Sequence, residues 1–135
     1  FVGGFIGEPP MNFADCELKR EDGRLYACSD SFNVPLPAET ASKLNAQRER
    51  ARVRLGIRPE SIGVESAPSQ DCVRASVYVL EPQGERAILS ARLANGELFL
   101  VEAPPDFDAQ PDDAVFLRFR QPIHLFDVES GINLI

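Results

Sequence analysis

Apolar side chains recur at every second position along most of this chain, and polar side chains fill the places between them. That period of two is the mark of strands with one buried face. Phe13, Cys16 and Leu18 open the pattern, and an Asp22-Gly23 hairpin signal leads to a return strand carrying Leu25 and Ala27. Phe32, Val34 and Leu36 follow, with Pro35 and Pro37 restricting that strand to a sheet edge. In the second half, Val53, Leu55 and Ile57 alternate against Arg52, Arg54 and Arg58. Val73, Ala75, Val77 and Val79 are expected to point inward against Arg74, Ser76 and Tyr78. Pro82-Gln83-Gly84 then reads as a turn, Ala87 to Leu93 as the next strand, and Asn95-Gly96 as a hairpin turn into residues 96–103. Residues 103–113 are rich in Pro and Asp and read as a loop. Val115, Leu117 and Phe119 alternate against Phe116, Arg118 and Arg120, and a short strand HLFD precedes a turn at Ser130-Gly131.

Two stretches break the period. Residues 38–50 contain good helix formers but only a thin apolar face, which predicts a short surface helix. FVGGFI places Phe1, Val2, Phe5 and Ile6 at helical spacing, with Gly7 and Pro9-Pro10 able to end a helix. Six to nine short strands with turns every 8–12 residues predict an all-β fold with minor α content, a small barrel or sandwich.

Composition narrows the function more than the fold. The 135 residues include 44% hydrophobic and 26% charged side chains, ordinary for one folded domain. A formal net charge of −7 opposes nucleic-acid backbones and anionic membrane surfaces, so no nucleic-acid partner is expected. Cys16, Cys28 and Cys72 are odd in number and lack CxxC spacing, which fits neither a disulfide framework nor a zinc site. A single histidine, His124, rules out a multi-histidine metal centre. The chain has no GxxxxGK[ST] loop, GxSxG elbow, GxGxxG fingerprint or HExxH helix, so no catalytic residue is nominated. Asp106, Asp108, Asp112 and Asp113 lack calcium-loop spacing and read as a solvated loop. The arginines between 48 and 58 read as the outer face of a helix and strand.

LGIRPESI, residues 55–62, is the densest local signal. Pro59 ends the ladder because it has no N–H, and it biases Arg58 toward an extended backbone. Gly56 allows close approach in a curved strand, and Arg58 and Glu60 project from a stiff corner.

GFIGEPPMNF at 4–13, LGIRPESI at 55–62 and HLFDVESG at 124–131 together resemble the C-terminal part of ATP-binding subunits of ABC-type sugar importers, the maltose importer ATPase group. The resemblance spans essentially the whole chain. It implies an OB-fold-like barrel of short antiparallel strands with one short helix, the transport-associated domain of that family. Residues 1–9 would be the end of a linker helix from a nucleotide-binding domain, and residues 10–135 the OB-like regulatory domain. ATP and Mg would bind in that other domain, leaving no cofactor, metal or catalytic group here; the full-length parent would be the transport ATPase. The implied partners are a second copy of the domain in a homodimer, its own nucleotide-binding domain, the transmembrane permease subunits and a regulatory protein. The implied location is the cytoplasmic side of the plasma membrane. Gly56, Arg58, Pro59, Glu60, His124, Phe126 and Asp127 are the residues expected at the interface or its structural corner. The residues alone leave open a free-standing small-ligand or oxyanion-binding module of the same fold, for which the arginines near position 58 are the motive.

Overall fold

The computed structural model describes residues 10–43 and 52–134. The expected N-terminal helix end at 1–9 therefore lies outside the described residues. Ten strands run in chain order: β1 Asn12–Glu21, β2 Arg24–Cys28, β3 Asn33–Pro35, β4 Arg52–Ile57, β5 Ile62–Glu65, β6 Val73–Gln83, β7 Arg86–Arg92, β8 Leu98–Ala103, β9 Ala114–Phe119 and β10 Ile123–Asp127. Helix α1, Ala38–Lys43, covers the first part of the predicted 38–50 segment, and positions 44–51 lie outside the described residues.

The strands form two antiparallel five-stranded sheets. Sheet A has the order β10-β4-β1-β2-β3, and sheet B the order β5-β9-β6-β7-β8. Their inner faces share one core, with Leu18, Leu25, Val53, Leu55 and Leu125 from sheet A against Val73, Val77, Leu89, Val101 and Leu117 from sheet B. Phe119 ties the halves together: its ring lies 5.5 Å from Phe32 and 5.8 Å from Phe99. Each fully buried aliphatic of this kind contributes about 1.5–3 kcal/mol, so the shared core outweighs any single surface contact.

Local chemistry accounts for the corners. Asp22 and Gly23 have φ of 51° and 81°, the two left-handed residues that a two-residue hairpin between right-twisted strands requires. Pro35 sits in β3, the edge of sheet A, where its missing N–H leaves no ladder bond unmade. Arg58 is extended at φ −80°, ψ 151°, and Pro59–Ser61 forms a single 3-10 turn that carries the chain from sheet A to sheet B.

Four expectations change. The LGIRPESI corner splits what reads as one strand into β4 and β5, and the total is ten rather than six to nine. The Pro82-Gln83-Gly84 turn begins later, because β6 continues through Gln83 and Gly84 alone takes the left-handed conformation there. Val79 faces outward: a bulge between Val77 and Val79 resets the alternation of β6. The backbone of Val77 bonds instead to the 110–113 loop, accepting from the N–H of Asp112 at 2.7 Å and donating to the carbonyl of Asp113 at 2.9 Å. Phe116, expected outside, does lie on the outer face of sheet B, but it is buried beneath the Arg74 guanidinium 5.7 Å from its ring.

In β1 the alternation runs unbroken from Asn12 to Leu18, and Phe13, expected with Cys16 and Leu18, is out of phase with them. Asn12 is buried at 7% exposure, while Phe13 turns outward. The Asn12 side chain donates from Nδ2 to the carbonyl of Leu100 at 2.8 Å, and its Oδ1 accepts the Leu100 N–H at 2.7 Å. One amide thus acts as a strand of a single residue, closing the β8 edge of sheet B against β1 of sheet A.

Candidate functional site

The outer face of sheet A is where the sequence-predicted residues meet. Antiparallel register aligns Phe13, Gly56 and His124 across β1, β4 and β10, and Asp15, Arg54 and Phe126 one step along the same face. Gly56 is buried there although it points away from the core. A Cβ at this position would come within 2.7 Å of Met11 Sδ, 3.0 Å of Phe126 Cε2 and 3.2 Å of Phe13 Cε1. The glycine is thus the floor on which three larger side chains converge. The Phe13 and Phe126 rings stand 6.0 Å apart at 60°, within the separation favoured by tilted aromatic pairs. His124 lies 6.2 Å from Phe126 at 25°.

An ion pair borders this plate. Arg54 donates from Nε to Asp15 Oδ1 at 2.8 Å, with Nη2 to Oδ2 at 3.5 Å. The hydrogen bond from Arg54 holds the Asp15 carboxyl below its ordinary range, against a smaller opposing effect of burial, and the same bond raises Arg54. Both side chains are well exposed, so the pair orients the surface more than it stabilises the fold. Beside it opens a depression of about 430 Å³ lined by Phe13, Asp15, Arg54, Asn95 and Glu97. Burial lowers the affinity of His124 for a proton, and the positive charge of Arg58 lowers it further, so the neutral imidazole is favoured.

The seven nominated residues divide. Gly56, His124 and Phe126 share the plate, with Arg58 near enough for its charge to act on His124. Pro59 is buried beneath the corner. Glu60 is exposed and borders a different depression, about 350 Å³, with Glu85, Arg86, Glu102 and Arg120. Asp127 closes the turn after β10: its Oδ2 accepts the Ser130 N–H at 2.9 Å and its carbonyl accepts the Gly131 N–H at 2.9 Å. Met11, Asn12 and Phe13 were not nominated, although they stand in the MNF end of the first motif. Their only signal in the sequence is the motif itself, which does not specify which of its side chains meet the other two.

No nucleophile–base pair is assembled on the plate, and among the described residues no group of three or more His, Cys, Asp or Glu side chains is placed to hold a metal ion. The plate consists of aromatic rings, a thioether and one oriented ion pair.

Comparison with known proteins fits this arrangement. The sequence model of the TOBE domain matches residues 55–126, more than half of the chain. The chain belongs to the TOBE domain family. A second match, to the MalK OB fold domain, covers residues 7–62, so the two together span 7–126, with LGIRPESI whole and parts of the other two motifs. The TOBE domain is 35% identical over 97% of its length to the xylose/arabinose import ATP-binding protein XacK of Haloferax volcanii. It is 36% identical over 96% of its length to the sulfoquinovosyl glycerol transport ATP-binding protein SmoE of Agrobacterium fabrum. The sn-glycerol-3-phosphate import ATP-binding protein UgpC 3 of Rhizobium etli is 31% identical over 97% of this chain. The chain spans about a third of the length of these curated relatives: 34%, 35% and 33%. Among solved structures, the cytoplasmic molybdate-binding protein ModG aligns with a TM-score of 0.64 at 11% identity, over 90% of this chain and 95% of that one. At that identity the likeness is one of fold, the OB-like barrel. No helix among the described residues is long and apolar enough to cross a membrane.

Proposed function

We propose that this TOBE domain is the regulatory and dimerising part of the ATP-binding subunit of an ABC importer for sugars or glycerol phosphate. The observation that carries the reading is the meeting of three motifs, far apart in sequence, on one outer plate around Gly56. Met11 and Phe13 come from the first motif, Gly56 and Arg58 from the second, His124 and Phe126 from the third. An outward apolar plate with an ion pair at its border suits a two-fold contact, because isologous pairing needs only one self-complementary patch. The relatives, named for pentose, sulfoquinovosyl glycerol and glycerol-phosphate transport, support a polyhydroxylated solute for the parent.

In this reading the parent chain couples ATP hydrolysis to solute import at the cytoplasmic face of the membrane. ATP and Mg bind in the nucleotide-binding domain, and the permease subunits contact the parent rather than this barrel. The TOBE domain holds two ATP-binding subunits together while their nucleotide sites open, and it receives signals from a regulatory protein.

Analytical ultracentrifugation of the full-length chain, with and without ATP, tests the pairing. The expected result is a dimer in both states that dissociates when Phe13 and Phe126 are both replaced by Ser. A full-length chain that pairs and is regulated normally without residues 10–135 would overturn the proposal. Arg58→Ala should weaken assembly or regulation while leaving ATP hydrolysis by the nucleotide sites intact.

A further inference from the structure

Sheet B carries a second surface that the motif plate does not explain. Four large apolar side chains are exposed among the described residues, and three of them lie on its outer face: Tyr78 at 51%, Val79 at 36% and Leu98 at 47%. The bulge in β6 is the cause, since it turns both Tyr78 and Val79 outward. Arg92 stands opposite Ser76 of β6 and Leu98 of β8, and its guanidinium lies 4.7 Å from the centre of the Tyr78 ring. Arg74, diagonally placed, covers the Phe116 ring at 5.7 Å. A depression of about 280 Å³ opens between the two arginines, bordered by Ser31, Ser76 and Ala114.

Both cations rest on aromatic rings of the same sheet face. Among the described residues neither Arg74 nor Arg92 forms a salt bridge, in a chain whose formal charge is −7. A ring against one face of a guanidinium leaves its in-plane N–H donors available, and that fork matches a carboxylate. One carboxylate of the chain, Asp112, borders the depression; its backbone N–H is tied to Val77 and its side chain is exposed. Tyr and Arg beside exposed aliphatics are the composition of protein-binding hot spots rather than of a small-ligand pocket. The two guanidiniums make this patch locally cationic on a chain of net charge −7, so the occupant it fits is one that brings carboxylates to these two side chains.

We propose that this face, centred on Arg74, Arg92, Tyr78 and Leu98, docks an acidic segment of a partner protein. Carboxylates of the segment bridge the two guanidiniums, and an apolar side chain between them covers Tyr78 and Leu98. The inference deepens the regulatory reading by giving the regulatory partner a surface and a chemistry. It rests on that reading for the partner's role, while its geometry lies on the other sheet from the proposed dimer plate.

The test uses the whole chain and a fluorescein-labelled peptide repeating Glu-Glu-Leu, followed by fluorescence anisotropy at low salt. Saturable binding is expected, with Arg74→Glu and Arg92→Glu each lowering affinity about tenfold and Tyr78→Ser with Leu98→Ser doing the same. Arg24→Glu, at an exposed arginine elsewhere, should bind as the wild type does, and circular dichroism should show every variant folded. Four outcomes overturn the proposal: no binding by the wild type, equal loss in Arg24→Glu, equal competition by inorganic phosphate and by leucine-free polyglutamate, or self-association that disappears in the same variants. Dimerisation of the full-length chain, the measure of the previous proposal, is unaffected by any of them except the last.

Discussion

Replacing Asn12 by Ala should cost far more than an ordinary polar-to-alanine change on a β surface. Its amide makes two hydrogen bonds, 2.8 and 2.7 Å long, to the backbone of Leu100. Each such bond contributes about 0.5–1.5 kcal/mol net, and a buried backbone group left without a partner costs about 1–3 kcal/mol. Water reaching the vacated space recovers part of this, so the expected loss is about 2–4 kcal/mol. In a domain of this size that corresponds to a fall in Tm of roughly 8–15 °C. Asn12→Asp sharpens the test. An ionised Asp still accepts the Leu100 N–H but sets a negative oxygen against the Leu100 carbonyl; the protonated form can donate to it. The folded-state pKa of that Asp is therefore raised above its unfolded value of about 3.9. Its stabilising contribution is full below the unfolded pKa and is lost as pH rises through the folded one. Urea unfolding of wild type, Asn12→Ala and Asn12→Asp in parallel at pH 4 and pH 7 is the assay, and each wild-type value cancels the other carboxylates. The gap between Asp and Asn should be wide at pH 7 and narrow at pH 4. A loss below about 1 kcal/mol for Ala, or a pH-independent gap for Asp, would refute the view that this amide closes the barrel.

Three further outcomes follow from the packing. Gly56→Val should destabilise the domain by about 1–3 kcal/mol through overpacking against Met11, Phe13 and Phe126; adding Met11→Ala should recover part of that loss in the same urea assay. Cys16, whose thiol burial pushes up to about 12, should resist alkylation at pH 8 in the native state and react only once urea exposes it, as mass spectrometry of the modified peptides would show. Removing the Arg58 charge with Arg58→Ala should move the His124 titration upward in an NMR pH series; an unchanged midpoint would mean that the guanidinium does not act on the imidazole.

The period-two pattern made the strands legible because most of them bury one face only. Val53, Leu55 and Ile57 are all fully buried, and Arg52 and Arg54 are exposed, as the alternation of β4 predicts. The pattern fails where the backbone or a side chain changes partner. At Val79 an inserted residue reversed the parity, and nothing in a run of valines and tyrosine marks a bulge. At the start of β1 the apolar Phe13 is out of phase with Cys16 and Leu18, and the inward place goes to Asn12, because a buried amide with two backbone partners is as satisfied as an apolar side chain. Gly56 was readable as a place of close approach, but the side chains approaching it come from positions 11, 13 and 126 and could not be paired by local reasoning. Glu60 and Asp127 belong to motifs that converge, yet a 3-10 turn and a terminal turn carry these two side chains away from the plate.

The placement of β4 between β1 and β10 also sets an order in time. Its pairing with β1 joins residues about 40 apart in sequence, and its pairing with β10 joins residues about 70 apart. Contacts of such long sequence separation close late and slow the folding of β-rich domains. During synthesis the GIRPE strand thus waits, with one edge unpaired, until the HLFD strand has left the ribosome. Phe126 and His124 arrive on that strand, and the plate around Gly56 exists only after they do. A chain still being translated has no such plate to offer, so any association that depends on it is confined to chains whose barrel is finished.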